Sequence, residues 1–122
     1  MISVAYIALG GAIGSILRYL TSLIFNSFFP NFPFGTLFVN LLGSFLIGLI
    51  ISNLENQNSF DLFIKYFLII GLLGSFTTFS AFSIEVIQLL NDKKIILCLL
   101  YIFLSIFLSI LGAGLGYFIN RF

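Results

Sequence analysis

The sequence contains no histidine, no tryptophan and one cysteine, and charged side chains make up only 7% of its 122 residues. A single cysteine, Cys98, cannot form an internal disulfide, and without histidine or further cysteines there is no zinc-binding cluster. We predict that Cys98 is a small packing residue in an apolar run. The carboxylates are too sparse to form a catalytic pair, so the composition does not predict an enzyme.

The scarcity of charge is accompanied by a large excess of apolar residues. Soluble domains are typically about 25% charged, whereas this chain is 61% hydrophobic with a mean hydropathy of +1.23. These values predict a protein surrounded by a lipid bilayer. The net charge is only +1 and basic residues do not cluster, so nucleic acid is not an expected partner.

Four apolar stretches are long enough to cross a membrane, which takes about 20 residues in a helix. We predict transmembrane helices at 2–25, 34–52, 60–90 and 95–119. Segment 26–33 holds both prolines and is predicted to be a loop, while 53–59 and 91–94 are polar connections. The sequence therefore predicts a single all-α membrane domain over 1–122.

The positive charges are almost evenly divided between the two membrane sides. Lys65 and Arg121 fall on one side and Lys93 and Lys94 on the other, with Arg18 nearer the second side. Such a balance predicts a weak orientation preference, because lysine and arginine in short loops set topology. We expect dual topology and an antiparallel homodimer, since four helices hardly enclose a pore and closed oligomers are most often two-fold. One fixed orientation is the alternative.

Small residues recur one helical turn apart in three of the spans. Such pairs let helix backbones approach closely in lipid, so we predict that they pack helices and bind no ligand. The pairs are Gly10 with Gly14, Ser44 with Gly48, and Gly112 with Gly116.

Asn40 is a polar residue inside the second span, with Ser44 on the same helical face. Polar groups in hydrocarbon must find partners, and each is a candidate functional residue. The amide could form a hydrogen bond between helices, or it could donate to an anion in a polar pathway.

The third span holds the densest polar signal, because segment 71–83 contains two glycines, two threonines and three serines. Such composition in an unusually long span predicts a broken helix, which membranes tolerate only beside protein or a polar cavity. An ordinary helix with hydroxyls bonded back to the preceding turn is the alternative. Phe79 and Phe82 would share a face after the break, and their positive ring edges suit an anion.

The fourth span carries Tyr101, Ser105, Ser109 and Ala113 at steps of four, so they share one helical face. A track of hydroxyls suits an anion that loses water gradually, and helix packing through small residues explains the stripe equally well. Arg18 could extend to the interface or give a vestibule a positive potential.

Three stretches together resemble the Fluc (CrcB) family of bacterial fluoride channels. They are GGAIGSILRY at 10–19, FGTLFVNLLGSF at 34–45, and segment 71–82 with its Thr-Thr-Phe-Ser core. The resemblance covers the whole chain. It implies an antiparallel dual-topology dimer in the bacterial plasma (inner) membrane, with two fluoride pathways and a central structural sodium ion.

The resemblance also implies roles for individual residues. It assigns sodium to the main-chain carbonyls of Gly74 and Thr77. It assigns the fluoride pathway to Asn40, Phe79, Phe82, Thr78, Ser80, Ser83, Tyr101, Ser105, Ser109 and the vestibule residue Arg18. Ala113 departs from the family pattern, in which many members carry threonine at this position.

Two other functions compete with passive fluoride export. Small multidrug transporters are also short four-helix proteins, but they couple transport through a glutamate in the first helix, and the first span here has no carboxylate. An accessory subunit of a larger membrane complex would explain the hydrophobicity and would leave the polar third span unexplained.

Overall fold

The computed structural model describes residues 1–54, 61–119 and 121, and these form helices joined by short turns. Helix α1 spans Ile2–Phe28 and α2 spans Phe34–Leu54. The third stretch comprises a π-helical segment, Phe63–Leu73, followed by α3 (Gly74–Phe76) and α4 (Phe79–Asn91), and α5 spans Ile95–Phe118.

The prediction of four helices is confirmed, and all four stretches are long and apolar enough to cross a membrane. Helix α2 extends two residues past the predicted end, and α5 ends one residue before it. The predicted linker from 55 to 59 and the predicted start of the third span at Phe60 lie outside the described residues.

The end of α1 differs from the prediction, which placed a loop from Asn26 onward. The helix continues to Phe28, and the N–H of Phe29 still donates to the carbonyl of Phe25 at 2.8 Å. A proline disfavours helical backbone in the residue before it, and Phe29 leaves the helix at φ −133° and ψ 68°. Pro30 therefore sets the boundary, and the polar residues before it stay helical.

The helices pair along their glycines. Helix α1 packs mainly on the π-helical segment, and α2 packs mainly on α5. A methyl group at Gly14 would overlap the carbonyl of Leu72, and one at Gly116 would overlap the carbonyl of Phe45. A methyl group at Gly10 would likewise overlap the carbonyl of Phe67, and one at Gly112 would be crowded by Leu41, whose carbonyl would lie 3.1 Å away. The predicted packing role is confirmed for these two pairs, because only hydrogen fits between the backbones.

The third span changes its backbone conformation along its length. The π-helical segment ends at Leu73, where the N–H of Gly74 reaches the carbonyl of Ile69. Thr77 (φ −77°, ψ 155°) and Thr78 (φ −153°, ψ 123°) are extended, and helix resumes at Phe79. We refer to Thr77 and Thr78 as the interruption. Backbone hydrogen bonds must be replaced here by other partners, because lipid offers none.

Candidate functional site

A cleft of about 400 Å³ opens beside the interruption, between α2, α4 and α5. Its walls contain an amide, hydroxyls, aromatic rings and aliphatic side chains, and none of the lining residues is charged. The lining residues are Asn40, Ser44, Ile47, Gly74, Thr77, Thr78, Phe79, Phe82, Ser105, Ile106, Ser109 and Ile110. Eight predicted site residues are thus brought together.

Asn40 pairs with the main chain of the interruption. Its Nδ2 donates to the carbonyl of Thr78 at 3.0 Å, and its Oδ1 accepts the Thr78 N–H at 2.7 Å. The side-chain amide therefore replaces both hydrogen bonds that Thr78 would have made within a continuous helix. A primary amide has two donor hydrogens, so one N–H of Asn40 remains for the cleft that it lines.

Thr78 also starts α4. Its hydroxyl oxygen accepts the N–H of Ala81 at 3.2 Å, as an N-cap residue does. The same hydroxyl shares a hydrogen bond with Ser80 at 3.1 Å. Ser83 donates back to the carbonyl of Phe79 at 2.9 Å. Neither Ser80 nor Ser83 lines the cleft, so these two predicted pathway residues lie beside it.

The two predicted phenylalanines lie together and differ sharply in exposure. Their ring centroids are 5.3 Å apart at an interplanar angle of 47°. Phe82 is 8% exposed and packs in the core, whereas Phe79 is 77% exposed. The side of the cleft formed by Phe79 is therefore open in the single chain.

The carbonyl oxygens of Gly74 and Thr77 suit a cation. The N–H groups that could close a further helical turn are used elsewhere: Thr77 donates to Leu73 at 3.1 Å, and Thr78 donates to Asn40. Apart from bonds within the regular helices, neither the Gly74 carbonyl nor the Thr77 carbonyl accepts a hydrogen bond from any described residue. Main-chain oxygens of this kind can replace the hydration shell of a small monovalent cation. The residues present thus fit a sodium ion.

The predicted stripe on the fourth span divides into separate environments. Ser105 and Ser109 line the cleft, and the buried Oγ of Ser105 has no hydrogen-bond partner among the described residues. Tyr101 is fully buried outside the lining. Ala113 is also outside it, with its carbonyl packed against Gly48 of α2. Of the four residues in the stripe, the two serines in the middle are therefore the ones that line the cleft.

Tyr101 belongs to a cluster that the sequence did not reveal. Its hydroxyl donates to Glu85 Oε2 at 2.6 Å, and Thr36 donates to Glu85 Oε1 at 2.7 Å. Thr36 is 4% exposed and had no special signal. The available signal was Glu85 itself, because a carboxylate inside an apolar span needs donors. Ser44 was also missed as a cleft residue, although it lies one turn from Asn40.

Arg18 lies outside the cleft lining. Its Nε donates to the carbonyl of Ser75 at 3.0 Å, so it contacts the turn just before the interruption. Gly10, Gly14 and Arg18 follow at steps of four on α1 and share one face. The close approach at the glycines brings the arginine side chain within reach of Ser75.

The chain matches a known family over most of its length. A family model described as "CrcB-like protein, Camphor Resistance (CrcB)" matches residues 5–117. A protein of Flavobacterium psychrophilum is 48% identical over 122 residues, which cover 99% of this chain and 98% of that protein. A protein of Thermus thermophilus is 50% identical, with 91% and 89% covered. One of Agrobacterium fabrum is 41% identical, with 99% and 98% covered. All three relatives are named fluoride-specific ion channel FluC.

Proposed function

The chain belongs to the CrcB family, and from this premise we propose that it is a multi-pass membrane channel that conducts fluoride passively out of the cell. The resemblance stated from the sequence is confirmed by these matches. The observation that supports the proposal within the chain is the uncharged, dipole-rich lining of the cleft beside the interruption.

Fluoride binds water strongly, so the barrier to its passage is dehydration. In the cleft, the remaining N–H of Asn40 and the hydroxyls of Ser105 and Ser109 can donate hydrogen bonds in place of water. The ring edges of Phe79 and Phe82 add positive potential without a full charge. Several weak sites in series let an ion enter and also leave, whereas a fixed cation would hold it.

The direction of transport follows from the membrane potential. Moving one elementary charge through 100 mV is worth about 2.3 kcal/mol. A cell interior that is negative drives an anion outward, so a passive channel in the bacterial plasma membrane is sufficient to lower cytoplasmic fluoride. No catalytic step or proton transfer is needed.

We propose that the working unit is an antiparallel, dual-topology homodimer with two fluoride pathways. The exposure of Phe79 supports this proposal, because a large aromatic side chain on the open side of the cleft is suited to contact a second copy. In such a dimer each pathway would take one of its two phenylalanines from each subunit. Thr78 would contribute from the wall of the cleft. Ser80, Ser83, Tyr101 and Arg18 would contribute from beside it.

We further propose a structural sodium ion at the centre of the dimer, held by the main-chain carbonyls of Gly74 and Thr77. In the part of the chain that the structure describes, neither carbonyl accepts a hydrogen bond outside the regular helices, and this supports the proposal. Bound there, sodium would supply a positive charge that ties the main chain at Gly74, before the interruption, to Thr77 within it, without acidic side chains.

The decisive experiment uses purified protein in liposomes loaded with fluoride or chloride, with release followed by ion-selective electrodes. We expect rapid fluoride release and no chloride release. The variant F79I should lose at least about tenfold in rate. F103I is the matched control, because Phe103 is an exposed phenylalanine of α5 outside the cleft and should change the rate less than about twofold.

Three outcomes would contradict the proposal. They are fluoride release no faster than from protein-free liposomes, equally fast chloride release, and release that requires a proton gradient. The last would favour a coupled transporter, with Glu85 as the carboxylate to examine. For the dimer, crosslinking that traps only parallel pairs would exclude the antiparallel arrangement.

A further inference from the structure

We propose that Arg18 is a positioning and specificity-determining residue for the carbonyl site, and that it restricts this site to a monovalent cation. The inference rests on the proposed sodium site at Gly74 and Thr77. Arg18 acts through its hydrogen bond to the carbonyl of Ser75, which lies in the main chain just before the interruption.

The first step of the argument concerns which carbonyls near the interruption are already bonded. The carbonyl of Ser75 accepts from Arg18 at 3.0 Å, and that of Thr78 accepts from Asn40 at 3.0 Å. Two side chains from two neighbouring helices thus occupy one carbonyl on each side of Thr77. The carbonyls of Gly74 and Thr77 remain available to a cation. Arg18 and Asn40 thus limit the number of main-chain oxygens that can coordinate it.

The second step concerns charge. Ser75 directly follows Gly74, so the guanidinium group that bonds to Ser75 lies near the proposed cation. A nearby like charge disfavours a bound cation, and the penalty doubles for a divalent ion. Arg18 retains this charge under all relevant conditions, because a guanidinium group does not lose its proton in proteins.

The third step concerns why the side chain stays in place. Arg18 is one turn beyond Gly14, where α1 and the main chain at Leu72 are in direct backbone contact. The guanidinium group is only partly buried, and its position is fixed by this contact together with the bond to Ser75. The packing of α1 and the bond to Ser75 therefore keep the positive charge of Arg18 close to the interruption.

The test is sodium binding to purified protein in detergent, measured by isothermal titration calorimetry at constant ionic strength with N-methylglucamine as the replacing cation. R18Q removes the charge and frees the carbonyl of Ser75, so it should bind sodium about tenfold more tightly. It should also bind calcium, which the original protein should reject. R18K keeps the charge and should bind sodium within about threefold of the original protein.

T21A is the matched control, because Thr21 lies one turn further along α1 and its hydroxyl bonds only to its own helix at Leu17. It should leave sodium binding unchanged. A merely structural role for Arg18 would weaken sodium binding in R18Q and R18K alike. Sodium binding by R18Q that is equal to or weaker than that of the original protein overturns the inference.

A second variant covers the case in which R18Q does not fold. R18C can be labelled after purification with a cationic or a neutral methanethiosulfonate reagent, while the buried Cys98 stays unlabelled. The neutral label should give tighter sodium binding than the cationic one, and equal binding would overturn the inference. Fluoride efflux by the unmodified protein is measured separately. Failure of the channel proposal therefore appears there, and failure of the sodium site appears as no sodium binding by the unmodified protein.

Discussion

Replacing Asn40 tests whether its amide holds the interruption or only faces an ion. N40A removes both hydrogen bonds to Thr78, at 2.7 and 3.0 Å. Each is worth about 1 kcal/mol net, and the abandoned N–H and C=O groups add desolvation costs. We expect a loss of about 2–4 kcal/mol of stability, because lipid provides no replacement partners.

N40D separates the two roles. Aspartate keeps the size of asparagine and can still accept the Thr78 N–H, but its second oxygen faces the Thr78 carbonyl and cannot donate. We expect N40D to lose about 1–3 kcal/mol, which is the cost of leaving the partly buried carbonyl of Thr78 unsatisfied. If Asn40 served only as a donor to fluoride, N40D would block transport without lowering stability.

The measurement uses a built-in probe, because Cys98 is the only cysteine and is 1% exposed. A dye that fluoresces on reaction with thiols will report unfolding on heating. S27A is the control, since Ser27 bonds only within an exposed turn of α1 at Ile24. Unchanged unfolding temperatures for N40A and N40D would refute the assignment of Asn40 as the partner of the Thr78 main chain.

Three further substitutions follow from the geometry. G14A should prevent folding, because its methyl group would overlap the main chain of the π-helical segment. G114A has open space and should gain up to about 1 kcal/mol, and expression level and unfolding temperature compare the two variants. K93G should raise stability by about 1 kcal/mol, because Lys93 has a φ of 59°, a left-handed conformation that glycine adopts more easily. K94G is the control, because Lys94 has a φ of −87°. A lower unfolding temperature for K93G would contradict this. S105A should lower fluoride efflux several-fold, because Ser105 lines the cleft, and unchanged efflux would remove Ser105 from the pathway.

The four spans could be predicted from the sequence because hydropathy depends on composition over about 20 residues. The exact boundaries could not, as α1 shows. Asn26 and Ser27 are polar but stay helical, and Pro30 ends the helix through a steric effect on Phe29. The π-helical segment was also not predictable, since its apolar residues do not distinguish a π-helix from an α-helix.

The sequence predicted which polar residues form the candidate site, but it did not predict which of them are hydrogen-bonded to one another. Asn40 was identified with two open alternatives, and it both lines the cleft and bonds to Thr78. Tyr101 and Ser105 lie on one helical face in the sequence pattern, but the position of α4 turns the tyrosine towards Glu85. Spacing along one helix defines a face, whereas the partner of a face depends on the packing of the neighbouring helices.

The tight turn between α4 and α5 has a consequence for membrane insertion during synthesis. Only Asp92, Lys93 and Lys94 separate the two helices, and the N–H of Lys94 bonds back across the helix end to the carbonyl of Leu89 at 2.9 Å. Because the connection has only three residues, we expect α4 and α5 to insert into the membrane together, as one hairpin. The two lysines at its tip then orient half of the membrane domain together, and a single added or removed charge at this tip acts on both helices at once.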